Sequence, residues 1–320
     1  MVEVVVRYKK SSVRLDSTRV NAFNGYEFIS HAHTDHLTKA RERKRVICTE
    51  ETSLLAAVRG VEIKAVPPPE GFDVLSTGHM LGSAGLSIDG LFFYTGDIKL
   101  ETYFFETPAI PRVECLLMES TYGSPEFLFP KPFEVLSQAL DDIKYFLRRE
   151  MPCVLMGYSL GKAQHLQIYF DERIECDKYT TQEIDVYNDI YRLFGYGITK
   201  KRLITGTPAH ALNKRPWILY YPLRGSDDIF LKYLKKRYGA VLIAFTGWAT
   251  KSEFAFGAGF DLTYPLSDHA DFEELCEIVK RADPEKVLVL KGNARGLINE
   301  LKRQGYSVRK VIDGNTVIDF

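Results

Sequence analysis

The stretch HAHTDH, residues 31–36, holds three of the chain's seven histidines together with an aspartate. The preceding YEFIS (26–30) is apolar and aromatic enough for a short buried strand, and the following LTKARERKR suits a helix, which puts the cluster at a strand end. In an extended segment His31 and His33, two apart, lie on one side, while Asp35 and His36 follow once the backbone has bent. The pattern offers imidazole nitrogens to one metal ion and a carboxylate plus an imidazole to a second, a donor set suited to zinc and tolerable for manganese or iron. A histidine-rich surface loop without metal is the bland alternative, and the aspartate inside the triple-histidine pattern weighs against it.

One loop cannot close a catalytic metal site, so further ligands are expected at other strand ends. His79 in TGHMLGSAG follows the strand-like FDVLS, and Asp97 closes the very apolar FFYTGD. Alone, the first reads as a structural histidine and the second as a turn residue; with the first cluster they read as ligands.

Composition limits the partners. The 42 basic residues balance 42 acidic ones, so no overall cationic field announces nucleic acid and any such surface must be a local patch. Five cysteines, odd in number and set in apolar runs such as VECLLM, suit buried free thiols rather than disulfides. They suggest a reducing, cytoplasmic setting. No apolar run reaches membrane-span length, and MVEVVVRYKK lacks a signal-peptide pattern, so a soluble, unexported protein is expected. Along the chain a strand-rich first third gives way to an amphipathic helix, residues 130–150, with Phe133, Leu136, Leu140, Ile143 and Leu147 at helical spacing. PCVLMGYSLGKAQHLQIYF then reads as strand, glycine turn and helix, and the end alternates strands and helices.

The order HAHTDH, GHMLGSAG and TGD, with Leu15-Asp16 upstream, resembles the metallo-β-lactamase superfamily. MESTYGSP with Glu119, GYSLGKAQ with Lys162 and Gln164, and YPLSDHAD with His269 resemble its β-CASP branch, whose members cut nucleic acid. Within that branch the likeness is greatest to the exonucleases associated with DNA ligase, and more distant to messenger-RNA 3′-end processing factors, ribonuclease J and Artemis-like DNA nucleases. The resemblance implies an α/β fold: an αββα sandwich of two mixed sheets flanked by helices, residues 1–123 and 249–320, with a smaller α/β domain inserted at 124–248. It implies that His31, His33 and His79 hold one Zn2+, that Asp35 and His36 begin a second site, also open to Mn2+, and that Asp97 bridges the two. A metal-activated water is then the nucleophile. His269, oriented by Glu119, would give a proton to the leaving or non-bridging oxygen, and Asp16 would hold the HxHxDH loop. Single-stranded DNA is the favoured partner, with a homodimer and association with a DNA ligase or helicase implied by the same likeness.

One departure stands out. Where most relatives end a late strand in His-Gly, this chain reads VLVLKGNA, and Lys291 has no lone pair to give a metal when protonated. The second metal is thereby weakened, or Lys291 lends positive charge near the phosphate, and the change favours DNA over RNA. For substrate contact the candidates are Lys162 and Gln164 at a helix start, Tyr158 and Trp248 as stacking surfaces, Ser267, Lys291, and the basic run Lys200, Lys201 and Arg202. His165 and His210 fall outside every motif and read as structural. Three other functions stay open: an RNA-processing nuclease, a small-molecule metallohydrolase, and an inactive nucleic-acid-binding subunit.

Overall fold

The computed structural model describes residues 2–19, 21–37, 42–207, 209–214, 216–225, 227–251, 259–311 and 314–320. The chain forms two units, Met1–Leu128 with Asp268–Phe320, and Phe129–Ser267. The first begins with β1 (Val2–Tyr8), β2 (Ser11–Leu15), β3 (Tyr26–Phe28), β4 (Glu42–Ile47), α1 (Glu50–Val58), β5 (Glu62–Ala65), β6 (Phe72–Ser76), β7 (Ala84–Ile88), β8 (Gly90–Tyr94) and β9 (Val113–Ser120). The second contains α2 (Pro132–Leu147), β10 (Cys153–Gly157), α3 (Lys162–Phe170), β11 (Asp177–Thr180), α4 (Gln182–Leu193), β12 (Arg202–Leu203), α5 (Ala209–Leu212), β13 (Trp217–Pro222), α6 (Ile229–Tyr238), β14 (Val241–Phe245) and β15 (Leu262–Tyr264). The first unit is completed by α7 (Phe272–Ala282), β16 (Lys286–Gly292), α8 (Ala294–Arg303), β17 (Ser307–Lys310) and β18 (Gly314–Asp319).

In the first unit two six-stranded mixed sheets run in the orders β18-β1-β2-β3-β4-β5 and β17-β16-β9-β8-β7-β6. Strand alternation stacks them. Phe92, Tyr94, Cys115 and Leu117 share a core with Val4, Val6, Val13, Leu15 and Phe28 of the other sheet. One position out of phase, Phe93, Leu116 and Met118 pack against Leu275, Ile278 and Val279 of α7 and Leu297 and Leu301 of α8. Each such side chain contributes roughly 1.5–3 kcal/mol on full burial.

The helix suggested by LTKARERKR does not form over the described part of that stretch: residues 38–41 lie outside the described residues, and Glu42–Ile47 is a strand. β4 runs parallel between β3 and β5. Arg43, buried, donates to Glu27 at 2.5 and 2.6 Å, and Arg14 donates to the same carboxylate at 2.5 Å. Sheet pairing on both edges with these ion pairs overrides a local helix preference. The network also fixes β2 and β3 side by side, with Leu15 opposite Phe28, and Asp16 and the HAHTDH segment leave the sheet just beyond those two positions.

The second unit is built on one parallel sheet, β12-β11-β13-β10-β14-β15. The amphipathic helix forms as α2, although its buried stripe is Val135, Leu136, Ala139, Ile143 and Leu147, and Phe133 is 55% exposed. β15 pairs with β14, and this unit runs to Ser267. The five cysteines are free thiols, and among the described residues no helix is long and apolar enough to cross a membrane.

Candidate metal centre

Three strand ends of the first unit deliver the candidate ligands. His31, His33 and His36 follow β3, His79 follows β6, and Asp97 follows β8. His33 Nδ1 lies 3.1 Å from His31 Nε2 and 3.2 Å from His79 Nε2. Asp97 Oδ2 lies 3.4 Å from His31 Nε2, 3.5 Å from His36 Nε2 and 3.8 Å from His79 Nε2. His31, His33, His79 and Asp97 thus meet the geometric requirement for holding one cation. Glycine makes the convergence sterically feasible: Gly96 has φ 54°, and a Cβ there would lie 2.7 Å from Ser30 Cβ.

The partners on the far side of each ring decide which lone pair faces inward. His79 Nδ1 donates to the Asp268 carbonyl at 2.7 Å, leaving Nε2 as the acceptor. His36 Nδ1 donates to Asp16 Oδ2 at 2.7 Å, which turns its Nε2 towards Asp97. Asp16 itself, at φ 38°, is held by Ser30 N–H at 2.7 Å, Ser30 Oγ–H at 2.6 Å and the buried Tyr94 hydroxyl at 2.6 Å. An aspartate tolerates that left-handed backbone better than most residues, and these bonds hold it there. Asp35 differs from its neighbours: its side chain is 79% exposed, with Oδ2 3.7 Å from His36 Nε2.

Beside this cluster, His269 Nδ1 lies 3.0 and 3.1 Å from the two oxygens of Glu119 and 3.8 Å from Asp97 Oδ2. Glu119 also accepts the Ile98 N–H at 2.8 Å. Burial opposes charge on His269, but Glu119 and Asp97 outweigh it and raise its pKa to about 9. Burial likewise opposes charge on His36, which Asp97 and Asp16 lift to about 10. His79 goes the other way: burial, with repulsion from His269 and His31, holds it well below the usual histidine range and therefore neutral, as a metal ligand must be. Asp97 is kept ionised, because His36, His269 and His31 overcome the cost of its burial. Borderline imidazoles, one neutral by burial, around an ionised carboxylate fit a divalent cation such as zinc.

No protein-family model matches the chain. It is 27% identical over 304 residues to a probable DNA ligase of Opitutus terrae, covering 90% of this chain and 29% of that protein. It is 30% identical over 331 residues to DNA cross-link repair protein SNM1 of Arabidopsis thaliana, covering 90% of this chain and 66% of that protein. The chain belongs to the β-CASP branch of the metallo-β-lactamase superfamily. It spans less than a third of the first relative's length and about two thirds of the second's. A protein of unknown function from Enterococcus faecalis V583 shares the fold, with a TM-score of 0.60 over 96% of this chain and 93% of that one at 14% identity.

The residues expected at the substrate differ in exposure. Gln164 is fully buried: its Oε1 accepts the Gly161 N–H at 2.8 Å, and its Nε2 donates to Ser159 O and Asn188 Oδ1, both at 3.1 Å. It caps α3 and joins it to α4. Lys201 is a buried partner of Asp171 at 2.6 Å, so of the basic run only Lys200 and Arg202 are exposed. Lys162 and Ser267 are buried, whereas Tyr158 is 51% exposed. Lys291 lies in β16, where the register shifts before Gly292 meets Ser120, and its side chain and that of His210 lie outside the described residues. His165 is buried.

Ser30 and Tyr94 carry roles that the motifs did not announce. The one signal was a phenol at the last position of an apolar strand, directly before TGD, where a buried hydroxyl needs a partner. Replacing Tyr94 with Phe leaves Asp16 short of a donor and is expected to weaken divalent-cation binding roughly 10–100-fold, read by metal titration on protein of unchanged circular dichroism.

Proposed function

We propose that this chain is a zinc-dependent phosphodiesterase acting on DNA, of the ligase-associated kind, that removes nucleotides from the 5′ end of single strands. What chiefly supports the reading is the approach of His31, His36, His79 and His269 to one Asp97 oxygen, each within 3.8 Å, with His33 completing the ring set. Two relatives matched over 90% of this chain are named for DNA, one a probable DNA ligase and one a DNA cross-link repair protein, and this supports a DNA substrate. On this reading the first unit is the αββα sandwich of the family and the second its inserted β-CASP domain.

His31, His33, His79 and Asp97 would hold one zinc, and His36 and Asp35 with the shared Asp97 a second. Such ions would supply acidification of a bound water and positive charge beside a phosphate. Asp16 keeps His36 turned inward through Nδ1, and Tyr94 and Ser30 keep Asp16 in place. His269 holds one proton on Nδ1 towards Glu119, so its Nε2 is free to pass the other to the leaving oxygen. Asp35, exposed, adds charge to the second site at little cost in desolvation.

End-labelled DNA and RNA, each with free and blocked 5′ ends, test the proposal on zinc-loaded protein. Release of label from free-ended single-stranded DNA is expected; a preference for RNA, or cleavage indifferent to the 5′ end, would overturn it. A second expectation concerns protons. Because His36 titrates near pH 10 without metal, a cation must displace its proton below that value, so affinity at that site rises with pH through the neutral range. Zinc calorimetry in buffers of differing ionisation enthalpy should register proton release at pH 7.

A further inference from the structure

Glu274 sits at the third position of α7, where a carboxylate ordinarily reaches back to the helix cap at the surface. Here it is buried, with a wider set of partners. Its Oε2 accepts the Asp271 N–H at 3.0 Å, and Asp271 Oδ1 accepts the Glu274 N–H at 2.9 Å, closing the capping box. Its Oε1 accepts the N–H groups of Leu100 at 3.1 Å and Glu101 at 2.6 Å, and buried Lys99 forms an ion pair with Oε2. One carboxylate therefore joins the turn after Asp97 to the loop bearing His269. The same segments meet where Ala270 N–H donates to Ile98 O at 2.6 Å, and Lys99 N–H donates to Thr77 O at 2.9 Å, two residues before His79.

A buried ion pair is weak evidence of stabilisation, since apolar residues of similar volume are often as stable. What it does impose is geometry: four donors from two loops converge on one group that has no room to move. We infer that Lys99 and Glu274 are positioning residues that clamp the His269 loop against the Asp97 turn, setting the reach of His269 without touching metal ligands or substrate. The kinetic part of this inference rests on the proposed phosphodiesterase activity; the clamp itself does not.

Two variants test it: Glu274→Gln, which keeps one acceptor oxygen for the backbone donors but removes the charge that pairs with Lys99, and the apolar pair Lys99→Met with Glu274→Leu, which leaves no charge unpaired should the first not fold. Both are expected to bind as much zinc as the parent, while amide exchange at residues 98–101 and 268–271 rises about tenfold or more and exchange in α8 stays constant. The turnover number should fall about tenfold with KM unchanged, and Glu274→Gln should cost nothing further in a His269→Ala background, as two steps in one chain of action require. Unchanged exchange in both loops, or an equal loss of turnover with and without His269, overturns the inference. If the parent cleaves neither DNA nor RNA, the phosphodiesterase reading fails, and the exchange measurement still decides the clamp.

Discussion

His33→Ala is expected to lose tightly bound zinc and to lower kcat/KM by a factor on the order of 10³–10⁴, the several kcal/mol that a metal ion lends to a charged transition state. The argument starts from crowding. Three ring nitrogens face one another, His33 Nδ1 standing 3.1 and 3.2 Å from its neighbours, with no apolar group between them. At these distances a neutral ring can donate its one N–H to a neighbour, and burial holds His79 in the neutral form, so His79 Nε2 is an acceptor. A cation at their common centre would take the place of the shared proton and accept from all three nitrogens at once. Removing His33 takes away the half-buried member, which packs least, so the melting temperature without metal should change little. Metal analysis after exhaustive dialysis, with kcat/KM on labelled DNA, reads both effects. Full zinc retention in the variant would sink the assignment of the site.

His269→Ala is expected to retain zinc and to lose roughly 10²–10⁴ in turnover, the usual span for a lost general acid. The distinction from the first variant follows from position: His269 is nearest Glu119, at 3.0 Å, and stands 3.8 Å from Asp97. Glu119 and Asp97 hold its proton against the cost of burial, raising its pKa to about 9 and favouring the charged form that can donate. Glu119→Gln should weaken that hold and lower the alkaline limb of the pH profile in step with the fall in the histidine's pKa. A substrate with an activated leaving group should rescue His269→Ala, because such an oxygen departs without a proton. Failure of rescue, with zinc intact, would assign His269 to substrate placement instead.

Much of the site can be read without coordinates because its ligands are local in sequence or mark strand ends. HAHTDH, GHM and TGD each place a polar residue directly after an apolar run, and the period-two alternation of FFY and CLLM already says which side chains face which core. The stretch after the cluster misleads because ARERKR has good helix formers, and only pairing with β3 and β5 makes part of it a strand. Gln164 and Lys201 mislead for a related reason. A polar side chain looks available in a sequence, whereas burial against Asn188 or Asp171 is a property of residues far along the chain.

The amino-acid order alone determined the donor chemistry of this protein: imidazoles and carboxylates, and apolar runs that expose each ligand at a strand end. Tertiary structure alone decided how those donors are aimed. The inward lone pair of His79 depends on a carbonyl 189 residues away, and the proton on His269 on a carboxylate 150 residues away. Hydrogen bonds of a few ångströms set tautomer and charge, and no local pattern records which distant groups the fold will bring within that range.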